Sequence, residues 1–383
     1  MPTQSSNLVV ASGDAIEYAV PDQTLIIDEV IVGSSSSGNG VYSNESGSTL
    51  DNYGTVFAAG GDGAVFLQDN TTVVNAVGAE ITGDDGILVS AGGTQSITNR
   101  GSIIGTAANA LNFYNAQPTM KIVNSGYMYG ATGGVAFQAG SGASIHNSGT
   151  IESGEEGIYA LVDADARTVI VNQAGGLIKG ADHAILNEQG ILSLTNYGKL
   201  EGGIYDAAGT KDTIVNNGAI VGSVMLSVGG DAFEGQNSTS AVNVSGEAGN
   251  DHLVGGAFAD KLDGGFGNDT LTGGGGKDQF IFDSTTPPNA DNCDKITDFT
   301  SGTDKIVLSE GAFGDLGPTG HPMQAKYFHA GAVAQTSDQH ILYTQSDGHL
   351  YYDDDATGPD QPSLFAVLTT EPTIHPGDFL IEA

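Results

Sequence analysis

Residues 246–281 read GEAGNDHLV, GGAFADKLD, GGFGNDTLT and GGGGKDQFI, four nine-residue units laid end to end. Glycine opens every unit, at Gly246, Gly255, Gly264 and Gly273, and returns at the fourth place as Gly249, Gly267 and Gly276. Without a Cβ, these residues let a tight turn adopt backbone angles closed to others and aim carbonyl oxygens inward. An aspartate holds the sixth place each time (Asp251, Asp260, Asp269, Asp278), and an apolar residue the eighth (Leu253, Leu262, Leu271, Phe280). One carboxylate per turn and one core side chain per short strand describe a narrow stack whose turns gather oxygen atoms. A flexible Gly/Asp-rich linker has no reason to keep an apolar residue in register. Two units depart from the pattern: Glu247 stands second in the first, and Phe258 stands fourth in the second.

Composition points the same way. The 383 residues include 46 Asp+Glu against 11 Lys+Arg, a formal charge of −35, with 58 Gly and no Trp. Phosphate contacts need a basic surface, so nucleic acid is excluded as a partner, and an anionic membrane attracts such a chain no better. Clustered carboxylates attract hard cations instead, and Ca²⁺ takes six to eight oxygen ligands. A hydrophobic fraction of 39% and regular repeats argue against an acidic disordered chain. Cys293 is the only cysteine, so no intrachain disulfide forms and a metal is the expected staple. Residues 1–30 lack the basic, apolar and cleavage regions of a signal peptide, and no long apolar run predicts membrane insertion.

The four units resemble the RTX nonapeptide, Gly-Gly-x-Gly-x-Asp-x-apolar-x, which implies a Ca²⁺-binding parallel β-roll. In such a roll two units complete one turn. Asp251 is then expected to share a calcium with Asp269 on one side, and Asp260 with Asp278 on the other. The resemblance implies a metal set of these four aspartates, the glycines 246, 249, 255, 264, 267, 273 and 276, and Asn250 and Asn268. Phe258 weakens the second site; Glu247 is the milder departure. Further on, Phe280-Ile281-Phe282, Asp294–Phe299, Gly302–Leu308, Ile341-Leu342-Tyr343, Gly348–Asp353 and Asp378–Ile381 resemble the domain that follows such repeats in serralysin-type secretion substrates. That likeness implies export by a type I secretion apparatus that reads an uncleaved C-terminal signal, and hence a secreted, extracellular or cell-surface protein. Low cytosolic calcium would leave the roll unfolded and threadable, and calcium outside would fold it. Asp353, Asp354 and Asp355 offer either one more calcium position or an exposed acidic turn.

Upstream, the period is longer. Asn52, Asn75, Asn99, Asn124, Asn147, Asn172, Asn196 and Asn216 recur 20–25 residues apart, each with Leu, Val or Ile two residues before and Gly two or three after. Two or three short strands per repeat fit one coil of a parallel β-helix, with successive coils about 4.8 Å apart. The asparagine is expected at a tight bend, tolerating left-handed angles, with stacked copies exchanging amide hydrogen bonds. Helical repeats fail because glycine interrupts every segment. The expected organisation is an all-β chain: a cap or exchange segment (1–30), a parallel β-helix of about eight coils (31–228), the β-roll (229–282) and a small β-rich secretion domain (283–383), with helix and roll sharing one stack.

No His-Glu-x-x-His occurs, and no serine-hydrolase elbow fits this repeat. Parallel β-helices do host polysaccharide lyases and epimerases, which need cations to neutralise a uronate. Arg100, Lys121, Arg167, Lys179, Lys199 and Lys211 lie in different coils, and Asp182-His183 reads as a solvated turn, so no catalytic residue is assigned. Assembly is favoured over catalysis. No acidic residue occurs from 86 to 151, a window holding Phe113, Tyr114, Tyr127, Tyr129 and Phe137. Neutral coils on an acidic molecule can meet without repulsion, and solenoid ends expose strand edges that propagate head-to-tail contacts. A calcium-dependent surface-layer, matrix-fibre or adhesin subunit is expected, homo-oligomeric or filamentous, with surface polysaccharide as a further partner.

Overall fold

The computed structural model describes residues 3–4, 8–10, 14–17, 21–28, 31–60, 63–68, 70–90, 92–114, 120–138, 140, 142–283, 292–314 and 316–383. Asn7, at the head of the strand-like stretch Asn7-Leu8-Val9-Val10, lies outside them. The described chain is nearly all strand, as the repeats require, and forms a parallel β-solenoid. It divides into two compact units, one of residues 1–208 and 218–222, the other of residues 209–217 and 223–383.

In the first unit each coil contributes three short strands to three parallel sheets. Thr72–Asn75, Glu80–Gly83 and Ile87–Val89 make up one coil, and each pairs with its counterpart in the next: Gln95–Asn99, Ser102–Gly105 and Leu111–Phe113. Registers align repeat residue with repeat residue, Asn75 with Asn99 and Val73 with Ile97. Alternation does the rest: Ile97, Ile122, Ile145 and Ile170 stack fully buried inside, while the residues between them face outward. Phe113 and Phe137 fill the core as a stacked pair, 5.2 Å between ring centres. Stacking starts within the segment expected to cap or exchange, since Thr3–Gln4 pairs with Thr24–Ile27, and Leu8–Val10 with Ile31–Ser34.

The repeat asparagines do not sit at a left-handed bend. None has a positive φ; each is the last residue of its strand, with its side chain turned inward. There the amides form a buried ladder. Asn52 Nδ2 donates to Asn75 Oδ1 at 2.8 Å, and the links from Asn75 to Asn99, Asn124, Asn147, Asn172 and Asn196 span 2.8–2.9 Å. Each amide also reaches a carbonyl of the next coil, as Asn124 does to Thr150 at 3.0 Å. The demand for glycine falls two residues later and is one of space. A Cβ at Gly126 would lie 2.1 Å from the carbonyl oxygen of Gly101, and one at Gly149 2.1 Å from that of Gly126. Left-handed angles occur only where the bend carries one more residue, at Gly78 (φ 82°) and Gly175 (φ 85°). Gly126→Ala is expected to force the coils apart and cost about 1–3 kcal/mol, read as a lower melting temperature of this unit.

In the second unit the coils shorten to two strands. His252–Val254 pairs with Thr270–Thr272 on one side, and Lys261–Asp263 with Gln279–Phe282 on the other. Leu253 stacks on Leu271, and Leu262 on Phe280, all fully buried. Asp294–Ile296 and Lys305–Ser309 extend these two sheets, and the chain's last strand, Phe379–Glu382, adds to the second. An antiparallel ribbon, Ile341–Thr344, His349–Tyr352 and Ser363–Leu368, joins the first sheet through Asp294–Ile296. Phe313, on the short helix Glu310–Phe313, packs edge-on against Tyr352 and Phe365.

Candidate metal centre

Every sixth-place aspartate stands immediately before a strand whose middle or second residue, two places on, is anchored in the core, so its carboxylate stays at the turn. The carboxylates line up in two columns. In one, the backbone N–H of each aspartate donates to Oδ1 of the next: Asp212 to Asp231, Asp231 to Asp251 and Asp251 to Asp269, each at 2.7 Å, then Asp269 to Asp294 at 3.0 Å. In the other, Val242 donates to Asp260 at 2.8 Å, Asp260 to Asp278 at 2.9 Å and Asp278 to Asp304 at 3.1 Å. All eight aspartates are buried. The pairings Asp251 with Asp269 and Asp260 with Asp278 follow the expected alternation. Asp212, Asp231, Asp294 and Asp304 were not assigned from the sequence, although each shares a readable signal, an aspartate two residues before a buried Ile or Phe.

The second oxygens distinguish the columns. Oδ2 of Asp231, Asp251 and Asp269 is buried without a hydrogen-bond partner. A carboxylate oxygen so placed costs several kcal/mol unless a proton or cation meets it. The glycines leave room for one. A Cβ at Gly246 would stand 2.3 Å from Asp251 Oδ2 and 2.7 Å from the carbonyl oxygen of Gly264, and one at Gly264 2.3 Å from Asp269 Oδ2. Gly255 and Gly273 bear the same relation to Asp260 and Asp278, at 2.5 Å. At the fourth place Gly249, Gly267 and Gly276 take φ of 155°, 135° and 146°, and a Cβ would strike the carbonyl oxygen of the preceding turn. Glu247 adopts the left-handed angle (φ 67°) of its counterparts Gly265 and Gly274. Phe258 does not, and in its unit Gly256 N–H closes onto Asp260 Oδ2 at 2.6 Å. The turns at Asp251 and Asp269 are therefore the better cradle. Asn250 and Asn268 stand outside the carboxylate column, their Oδ1 atoms accepting from Asn268 N–H and Cys293 N–H at 2.8 and 2.9 Å.

Burial, then the charges of Asp269 and Asp231, pushes Asp251 up to about 7. Burial likewise pushes Asp231 and Asp278 up to about 6 and raises Asp260, Asp269, Asp294 and Asp304. A carboxyl whose folded pKa exceeds its unfolded value of 3.8 binds more protons folded than unfolded, so its stabilisation is full below that value and lost as pH rises through the folded pKa. Without calcium, the second unit is expected to gain stability on acidification from pH 8 to pH 5, read as a rising melting temperature in chelator. With calcium the trend should reverse, because protons compete for the same oxygens.

Of the residues weighed for a β-helix enzyme, Lys179 is held by Glu152 at 2.7 Å and Lys199 by Glu201, which Lys179 also faces across the coils. Asp182-His183 is not a solvated turn throughout: His183 opens the strand His183–Gln189 with its Nδ1 buried and lies against Tyr205, 5.6 Å between ring centres. The charges around it are Glu155, Glu156 and Asp182, which repel a uronate.

Buried columns of aspartate on a parallel β-roll, with glycine turns that leave their oxygens uncovered, define a calcium-binding β-roll protein. Residues 245–280 match the RTX calcium-binding nonapeptide repeat in four copies. That match and the parallel solenoid together fit an RTX β-helix and β-roll protein. No curated protein matches the chain.

Proposed function

We propose that this chain is a secreted structural protein of the cell surface or extracellular matrix, whose roll folds when it meets calcium and which then self-assembles. The carrying observation is the column of buried aspartates with unpartnered Oδ2 atoms. In calcium-poor cytosol these carboxylates oppose folding, which suits a chain threaded through a channel, and RTX proteins are typically type I secretion substrates. At millimolar calcium, each site filled at 100 times its Kd contributes about 2.7 kcal/mol. Asp251 and Asp269, with Gly246 and Gly264 beside them, would hold the best-formed ion; Asp260 and Asp278 a second. Ca²⁺ supplies charge neutralisation and cross-linking of successive turns, with no chemical step.

Assembly is supported by the acid-free coils. Tyr114 and Tyr127 are exposed on them, and Tyr127 stacks with Tyr129 at 6.5 Å on the outer face. A surface-layer, fibre or adhesin role, with surface polysaccharide as a partner, accords with such a face. Electron microscopy of purified protein with calcium should show filaments or lattices that disperse in chelator. Dispersed monomers at high concentration under both conditions would overturn the assembly reading, and turnover of alginate or pectin would replace it with an enzyme.

A further inference from the structure

Beyond the strand His349–Tyr352 the chain runs Asp353-Asp354-Asp355-Ala356-Thr357-Gly358 before it returns as Ser363–Leu368. Asp353 is only 4% exposed, and its Oδ1 is buried with no hydrogen-bond partner. The Oδ1 of Asp355 is in the same condition. One carboxylate oxygen from each of Asp353, Asp354 and Asp355 lies within 4.8 Å of the others. Among the described residues no Lys, Arg or His forms an ion pair with any of them. Two buried, unpartnered carboxylate oxygens facing each other repel unless something positive lies between.

The backbone holds them there. Ala356 takes a left-handed φ of 52°, and His340 clamps the loop's start, its Nδ1 donating to the Asp353 carbonyl at 2.6 Å while Asp353 N–H donates to the His340 carbonyl at 2.8 Å. Asp355 folds over Gly358 so closely that a Cβ there would lie 1.8 Å from its Oδ2, which accepts from Asp360 N–H at 3.2 Å. Asp353, Asp355 and Thr357 are spaced as the first, third and fifth ligands of an EF-hand loop, with Gly358 at the sixth place where that loop turns. Oxygens on opposite sides of a Ca²⁺ stand about 5 Å apart, against about 4 Å for Mg²⁺.

We propose that Asp353 and Asp355, with Asp354 at the rim, form a separate site for a hard divalent cation of the Ca²⁺ class, outside the nonapeptide repeats. Its ion fastens the antiparallel ribbon, and through the pairing of Ser363–Leu368 with Asp294–Ile296 it ties that ribbon to the roll.

Terbium reports on this site, and the variants separate it from the roll. Tyrosine sensitises Tb³⁺ emission at short range; Tyr352 adjoins Asp353, while Tyr351 lies near Cys293, beside Asp294 of the roll's column, so the site is read as a difference between variant and parent. Titrated with Tb³⁺, the full chain should show tyrosine-sensitised emission that calcium displaces. Asp353→Asn with Asp355→Asn should lose a fixed part of that emission and bind one Ca²⁺ fewer per chain in equilibrium dialysis. Gly358→Ala, which keeps every acid but evicts the Asp355 carboxylate, should lose the same ion, and it decides the matter if the double variant fails to fold. An unchanged ion count and emission in either folded variant would overturn the site while leaving the roll's calcium unaffected.

Discussion

Chelation at neutral pH is expected to melt the second unit, residues 209–217 and 223–383, and to leave the first folded. The reason is where each unit keeps its charge. In the roll of the second unit the core is narrow, one or two Leu, Val, Ile or Phe per strand, and beside it stand eight buried aspartates. Two filled sites contribute about 5 kcal/mol together when calcium exceeds their Kd 100-fold. That is comparable to the whole margin of about 5–15 kcal/mol that holds a domain folded. Removing the ions also restores the repulsion along each column. Calorimetry should resolve two transitions in calcium, and in EDTA should show one nearly unchanged and the other absent or far lower. Amide hydrogen exchange should place the lost protection at His252–Val254, Lys261–Asp263, Thr270–Thr272 and Gln279–Phe282. A thermogram indifferent to EDTA would remove the calcium reading of the columns.

Asn124→Ala should weaken the first unit by about 3–5 kcal/mol whether or not calcium is present. Asn124 donates to Asn147 Oδ1 at 2.8 Å and to the Thr150 carbonyl at 3.0 Å, and accepts from Asn99 at 2.9 Å. Alanine leaves these buried partners without their hydrogen bonds, at about 1–3 kcal/mol for each group left unsatisfied. The ladder is a chain of amides polarising one another, so a central rung should matter more than Asn52 at one end. Denaturant unfolding followed in EDTA isolates this effect, since the calcium-dependent unit is then already unfolded. If Asn124→Ala and Asn52→Ala cost the same few tenths of a kcal/mol, the ladder contributes register and not stability.

The two halves were legible to different degrees, for physical reasons. Both repeats show in the sequence because each turn meets the same constraint as its neighbours: Ile97, Ile122 and Ile145 occupy one stacked position, as do Leu253 and Leu271. Asp251, Asp260, Asp269 and Asp278 could be paired in advance because a two-strand coil returns every 18 residues. The extension of the columns to Asp212, Asp294 and Asp304 was hidden by irregular loop lengths, and Asp231, though inside the span read as roll, was given no ligand role. Asp212 and Asp231 stand 19 and 20 residues before the next aspartate of their column, and Asp294 and Asp304 stand 25 and 26 after the one before, which breaks the nine-residue period without moving the carboxylate.

What the sequence determined by itself was periodicity: a parallel β-solenoid, its change from a repeat of about 24 residues to one of nine, its need for a hard cation and the four repeat aspartates that offer oxygen to it. Only the tertiary structure decided which oxygens remain unpartnered. Asp251 and Asp260 hold identical places in their repeats, yet Gly256 N–H closes the second oxygen of Asp260 and nothing closes that of Asp251. The same holds for the repeat asparagines: their ladder of amides was read from the sequence, but their place, at strand ends with ordinary backbone angles and not at left-handed bends, was decided by the stacked coils. A residue type records which hydrogen bonds a side chain can make. Which it does make depends on the turn above it, and that distance is set only when the coils stack.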